Sequence, residues 1–417
     1  MFLIGLFTWE MKWRAFGVEP TYRNSDGAWA MQRRRIDSGE GNKTVLIGSS
    51  RVLFDVQLPV WERATGERPI QLALEGTSPA FALEDLADDP NFTGRLVVGI
   101  SLPLFFSDFG RRANVAKYYH NESLAQRSGQ WLSMNLIEPF FAFYDIDYGL
   151  MTVLARQDWP ERPGVHSFVE VRRLAVQERD RNTQMWNKLE RDSDYRELAK
   201  RIWSQLFAPP PGVTPEMAQQ LAAKQIDRAV AAVEKLRARG VPVVFLRAPV
   251  GGAFLEAENK GFPRGTTWNV LLQRTGAPGI HFEDYPELRA FEPVEWSHLS
   301  ASDAERFTEA LCAILEREFG WARPGAKSST RREPRFSARR PHVAGIVALM
   351  AQKKPTLTAA AAETILQNSA IAMPPGTATG SVPVSAHYSN GTQTVPWGHR
   401  RNWCGLATAD AALQTTK

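Results

Sequence analysis

Hydrophobic and polar positions change their period along the chain in a way that marks out strands and helices. Residues 44–48 form a β-branched apolar run closed by Gly48; Ser49 and Ser50 follow, and an amphipathic segment then runs to about Thr65. That order reads as strand, tight turn, helix. Short apolar runs recur at residues 70–74, 96–100, 241–247 and 280–282, with helical periodicity between or after them. Strands alternating with helices predict a parallel sheet covered on both faces. The clearest helix precedes the fourth strand: Thr214 and Pro215 mark its start, Ile226, Val230 and Val233 share a face, and Gly240 ends it. Another follows residue 300, where Ser302 and Glu305 form a capping box and Phe307, Leu311, Ile314 and Leu315 give the stripe.

The alternation is interrupted by a long excursion over residues 105–213. It is rich in aromatic residues from Tyr118 to Tyr148, becomes highly charged with a helical pattern near 172–191, and ends at Pro209-Pro210-Pro211-Gly212. It reads as a helical cap over the sheet edge. The stretch 131–154 is apolar enough to lie in a membrane interface, while Glu138, Asp145 and Asp147 argue against its crossing a bilayer. Asp145 and Asp147 are expected to be solvated or to cap helices.

Composition narrows the classes. A chain of 417 residues with 43% hydrophobic residues has material for a sizeable core and two or three domains. Its two cysteines, Cys312 and Cys404, give no disulfide framework, and the seven histidines include no His-x-x-x-His pair, so no metal and no cofactor are expected. The net charge of +5 is concentrated in residues 323–340, where seven Lys/Arg face Glu333 alone. This segment reads as a solvated linker, and no nucleic-acid partner is expected. At the N-terminus, the apolar run from Met1 to Trp9 is far below the about 20 residues a bilayer requires, and no basic n-region precedes it.

The candidate chemistry begins at Ser50. A hydroxyl at the carboxyl end of a strand, beside the free amides of a helix N-terminus, has access from one side and donors for an oxyanion. The bland reading of the same turn is a serine N-cap. Far along the chain, Glu295-Trp296-Ser297-His298 places an acid three positions before a histidine, just ahead of a helix. Such a loop can set the carboxylate on imidazole Nδ1 and leave Nε2 for the serine. Arg247 and Arg264, on loops at the same edge, are candidates for holding an anionic or carbohydrate substrate.

Together, the Gly48-Ser49-Ser50-Arg51 turn and the late Glu295-x-x-His298 loop resemble the SGNH (GDSL-like) hydrolase superfamily, in its membrane-associated bacterial branch, over about residues 40–318. The resemblance implies an α/β fold, a three-layer α/β/α sandwich with a parallel five-stranded flavodoxin-like sheet of order 2-1-3-4-5. It carries over Ser50 as nucleophile, His298 as general base and Glu295 as orienting acid. The oxyanion hole would be formed by the amides of Ser50 and Gly76, with Arg51 of the turn at the substrate. In such a sheet ligands sit outside the carboxyl ends of the strands, where Ser50, Gly76 and the His298 loop all fall. The chain departs from the family in having Ser49 and Glu295 where aspartates are usual. Its third strand is followed by Ser101-Leu102-Pro103-Leu104, without the family's Gly-x-Asn-Asp donor.

The implied activity is a serine esterase or O-acyltransferase acting on an ester of a cell-envelope carbohydrate or lipid. The alternative is a non-catalytic, membrane-associated accessory or polysaccharide-binding protein that kept the pocket. The family's usual N-terminal anchor makes residues 1–39 the stub of one, which implies an inner-membrane or periplasmic location; without an anchor the location is cytoplasmic. Beyond the hydrolase-like segment 40–320 and the linker 321–340, residues 341–417 resemble the end of a subtilisin-like serine protease. Ser337 stands four positions before Pro341-His342-Val343-Ala344-Gly345, as that family's serine does, but the other two triad segments are missing. A protease remnant without activity is therefore expected there.

Overall fold

The structure, a computed structural model, describes residues 1–157, 172–207 and 212–321, with Lys354, Thr358, Ala361 and four short strands further on. The chain divides into two compact units, Met1–Ala326 and Lys327–Lys417.

The first unit begins with α1 (Phe2–Ala15), α2 (Asp26–Arg35), β1 (Thr44–Ile47), α3 (Ser50–Asp55), α4 (Leu58–Thr65), β2 (Ile70–Gln71), α5 (Ala80–Asp88) and β3 (Arg95–Gly99). The excursion follows as α6 (Leu102–Phe106), α7 (Val115–Asn121), α8 (Leu124–Leu136), α9 (Leu150–Ala155), a hairpin of β4 (Ala175–Gln177) and β5 (Thr183–Met185), α10 (Asn187–Arg191) and α11 (Ser193–Ser204). The unit closes with α12 (Pro215–Ala238), β6 (Val243–Arg247), α13 (Gly252–Gly261), α14 (Trp268–Thr275), β7 (Gly279–His281), α15 (Pro286–Arg289) and α16 (Ala301–Phe319).

Five strands make one parallel sheet in the order β2-β1-β3-β6-β7. Successive strand residues point to opposite faces, and the two parities feed two separate apolar clusters. Leu46, Val97, Val244, Leu246 and Ile280 pack with α3, α4, α11 and α16. Val45, Ile47, Leu96, Val98 and Phe245 pack with α2, α5, α12 and α14. Burial on both faces is why these runs read as continuously apolar.

Four sequence expectations shift. The amphipathic run to Thr65 breaks at Val56 and Gln57, because Pro59 has no amide to continue α3 and instead opens α4. The cap of the last helix is Ser300, whose hydroxyl accepts the Asp303 amide, rather than Ser302. The charged segment near 172–191 is mostly a hairpin: Arg181 adopts φ +67 in its turn, and its guanidinium is buried against the carbonyls of Gln71 and Ala73. Asp145 and Asp147 are largely buried ion-pair partners of Arg173 and Arg156, not solvated groups.

In the second unit, Val382–Tyr388 and Gly391–Trp397 pair antiparallel, as do Ile371–Ala372 and Gly405–Leu406. Ser337 lies outside the described residues.

Candidate active site

Strand β1 delivers the turn. A Cβ on Gly48 would meet Val52 at 2.7 Å and the Gly99 backbone at 3.2 Å, and one on Gly99 would meet Val52 at 2.0 Å. Both glycines are needed for α3 to seat Val52 against the strand ends. Ser50 is the first residue of α3 and half-buried, with Ser49 buried at the cap position. Its amide is among the first-turn donors that no helical carbonyl can satisfy.

The Leu74 amide donates to the Gly48 carbonyl at 2.9 Å, which brings the chain leading to Gly76 beside the serine turn. Gly76 has φ +57, and a side chain there would meet open space. Beyond β3, Ser101 caps α6 without a side-chain capping bond and is buried.

The late loop is locked to α3 from several sides. Glu295 Oε1 engages His298 Nδ1, with both residues fully buried. Glu295 Oε2 accepts the Trp203 indole N–H at 2.6 Å and the Ser297 amide at 3.2 Å. The Asp55 carboxylate accepts the Leu299 amide at 3.0 Å, and Arg51 donates to the Ser297 hydroxyl at 3.3 Å. Phe54, one turn along α3 from Ser50, lies 4.5 Å from the His298 ring, centroid to centroid. Because Nδ1 faces a carboxylate, it carries the ring proton and Nε2 keeps its lone pair. Nε2 is buried with no hydrogen-bond partner, so no bond joins it to Ser50 in this state. Glu295 and His298 are thus held together on a loop that packs against the helix opened by Ser50.

Arg51 and Arg247, two of the candidate substrate ligands, lie in the interior beside Glu258. Both are buried; Arg51 reaches the buried carboxylate of Glu258 through Nη1 and Nη2, while Arg247 reaches it through Nη2 alone and leaves Nε and Nη1 without a partner among the described residues. Burial pulls Arg247 down to about 10, against the charge of Glu258. Arg264 remains half-exposed, pairs with Asp284 and Glu283, and lines an open cleft of about 880 Å³. Trp296, at φ +75, connects that cleft to the His298 loop; neither Ser50 nor His298 lines it.

Asp55, Glu258 and Trp203 were not singled out in the sequence. Only Asp55 carried a signal, as the residue four after Arg51 on the serine's own helix. Among the described residues no group of His, Cys, Asp and Glu could hold a metal ion, and no helix is long and apolar enough to cross a membrane. No protein-family model and no curated protein matches the chain.

Proposed function

We propose that the first unit is an SGNH-type serine hydrolase, built on a flavodoxin-like three-layer sandwich, that cleaves or transfers the acyl group of a cell-envelope carbohydrate or lipid ester. The observation that carries this reading is the buried Glu295–His298 pair fastened to the helix that begins at Ser50. In the proposed reaction Ser50 Oγ attacks the ester carbonyl while His298 Nε2 takes its proton. The tetrahedral oxyanion is held by the Ser50 and Gly76 amides. Collapse breaks the ester C–O bond, and His298 returns the proton to the departing alkoxide. Water, or an acceptor hydroxyl, then removes the acyl group from Ser50 by the same steps in reverse order.

The second reading is a non-catalytic accessory or polysaccharide-binding protein. It is favoured by the unpartnered Nε2 and by Ser101, which follows β3 where the family has its Asn-bearing motif. Hydrolysis of p-nitrophenyl acetate by wild type, Ser50→Ala and His298→Gln separates the two. Esterase chemistry requires both variants to lose at least about 100-fold in kcat/KM. Equal rates in all three proteins would end the enzyme reading.

A further inference from the structure

Helix α1 packs on the excursion with one face only. Leu6, Trp9, Glu10 and Trp13 turn inward: the Trp9 indole donates to the Tyr148 carbonyl at 3.1 Å, and Glu10 accepts the amides of Ala142 and Phe143 at 3.0 Å each. The opposite face carries Leu3, Ile4, Phe7 and Met11, spaced at helical intervals and exposed, Leu3 to 76%. Next to α1, the Phe140 carbonyl accepts from Arg14 at 2.8 Å while the Phe140 ring stays exposed. Helix α9 buries none of its residues, and Leu150, Met151 and Leu154 all face out. Exposed large apolar side chains gathered on neighbouring elements are unusual for a surface that meets only water.

The charges say what covers it. Residues 1–16 and 131–157 contain four acidic residues, Glu10, Glu138, Asp145 and Asp147. Each is turned into the protein: Glu10 on backbone amides, Glu138 on the Arg23 amide and Ser133, Asp145 on Arg173, Asp147 on Arg156. Arg14 pairs with Glu10 at 2.6 Å, which leaves Lys12 as the exposed cation of α1 without a carboxylate partner among the described residues, 5.2 and 5.3 Å from the Trp9 and Trp13 rings. Outward apolar groups, withdrawn acids and the outward Lys12 together match a lipid surface with anionic headgroups.

We propose that α1 and α9 form a docking surface for an anionic phospholipid bilayer, on which the protein lies without crossing it. The inference is independent of the ester chemistry, which the same variants leave intact. The test is co-sedimentation with phosphatidylcholine vesicles, with and without phosphatidylglycerol. Wild type should sediment, and Ile4→Glu/Phe7→Glu and Leu150→Glu/Met151→Glu should each bind at least about tenfold more weakly. Lys12→Glu should weaken binding only when phosphatidylglycerol is present. In the unaltered protein, vesicles should slow peroxide oxidation of Met11 and Met151 several-fold while leaving exposed Met217 on α12 unchanged. Failure of wild type to sediment, or equal oxidation with and without vesicles, overturns the proposal. So does a wild-type dimer that the glutamate variants convert to monomer, which would assign the surface to a second copy of the chain.

Discussion

The carboxylate of Asp55 accepts the backbone amide of Leu299 at 3.0 Å, so the last residue of α3 holds the residue that follows His298. Asp55 is wholly buried and its second oxygen has no partner. Burial pushes its pKa well above the usual carboxylate range, opposed by the Leu299 amide and the Arg51 charge. Asp55→Ala should lower stability by about 1–3 kcal/mol through the stranded amide, while Asp55→Asn keeps the acceptor. Because the folded pKa is raised, the stability this carboxyl contributes is complete below its unfolded pKa and is lost as pH rises through the folded value. The asparagine variant should therefore gain on wild type between pH 5 and pH 8 in thermal melts. An asparagine variant as damaged as the alanine one at both pH values would remove Asp55 from this role.

Glu258 sits between two buried guanidinium groups, 2.7 Å from Arg51 and in direct contact with Arg247. Burial alone would raise its pKa, but Arg247 and Arg51 outweigh that and hold it below the usual range. Replacing it by glutamine leaves two buried cations without a counter-charge, for an expected loss of about 3–5 kcal/mol. Arg317→Ala removes an exposed, solvent-screened pair with Glu287 and should leave stability nearly unchanged. Urea denaturation of both variants measures the contrast. A Glu258→Gln loss as small as the surface one would show that water reaches the cluster.

The sheet was legible because its strands are buried on both faces and glycines end several helices: Gly66 after α4, Gly240 after α12, Gly276 after α14 and Gly320 after α16. The pairing of Glu295 with His298 was legible because three residues of one loop fix their separation. What held that loop was not. Asp55 and Leu299 are 244 positions apart, and Trp203 reaches Glu295 across 92. No local period encodes such contacts. The same limit explains Arg51 and Arg247: as letters they are cations near a site, and only the fold reveals the carboxylate of Glu258 between them. The hairpin at 175–185 was hidden by charges that suit a helix face until Arg181 is seen buried.

Trp203 donates its indole N–H to the Glu295 oxygen not engaged by His298, at 2.6 Å, and its ring lies 6.1 Å from the imidazole. Trp203→Phe keeps most of the ring and removes the donor. If Glu295 orients the base, kcat for an ester substrate should fall about tenfold with KM unchanged, and stability should drop by about 1 kcal/mol. An unchanged kcat in a variant whose Ser50→Ala counterpart is inactive would show that this bond serves packing alone.

His281 ends β7 in a closed setting: its Nδ1 accepts the Glu283 amide at 3.2 Å, and its ring packs on Trp268 and Phe282. Burial, then the charges of Arg264 and Arg247, bring its pKa down to about 3. A depressed folded pKa means the stability is complete above the unfolded value, about 6.5, and drains away as pH falls toward 3. The slope is about 1.4 kcal/mol per pH unit once the unfolded chain is protonated. His281→Asn retains an oxygen to accept the Glu283 amide but cannot titrate. Its melting temperature should lie below wild type at pH 8, where a cavity is its only consequence, and the gap should close steadily from pH 6.5 to pH 5. Every other titrating group, Asp55 included, is common to the two proteins and cancels in that difference. Parallel melting curves across the interval would mean that the imidazole is protonated within the fold.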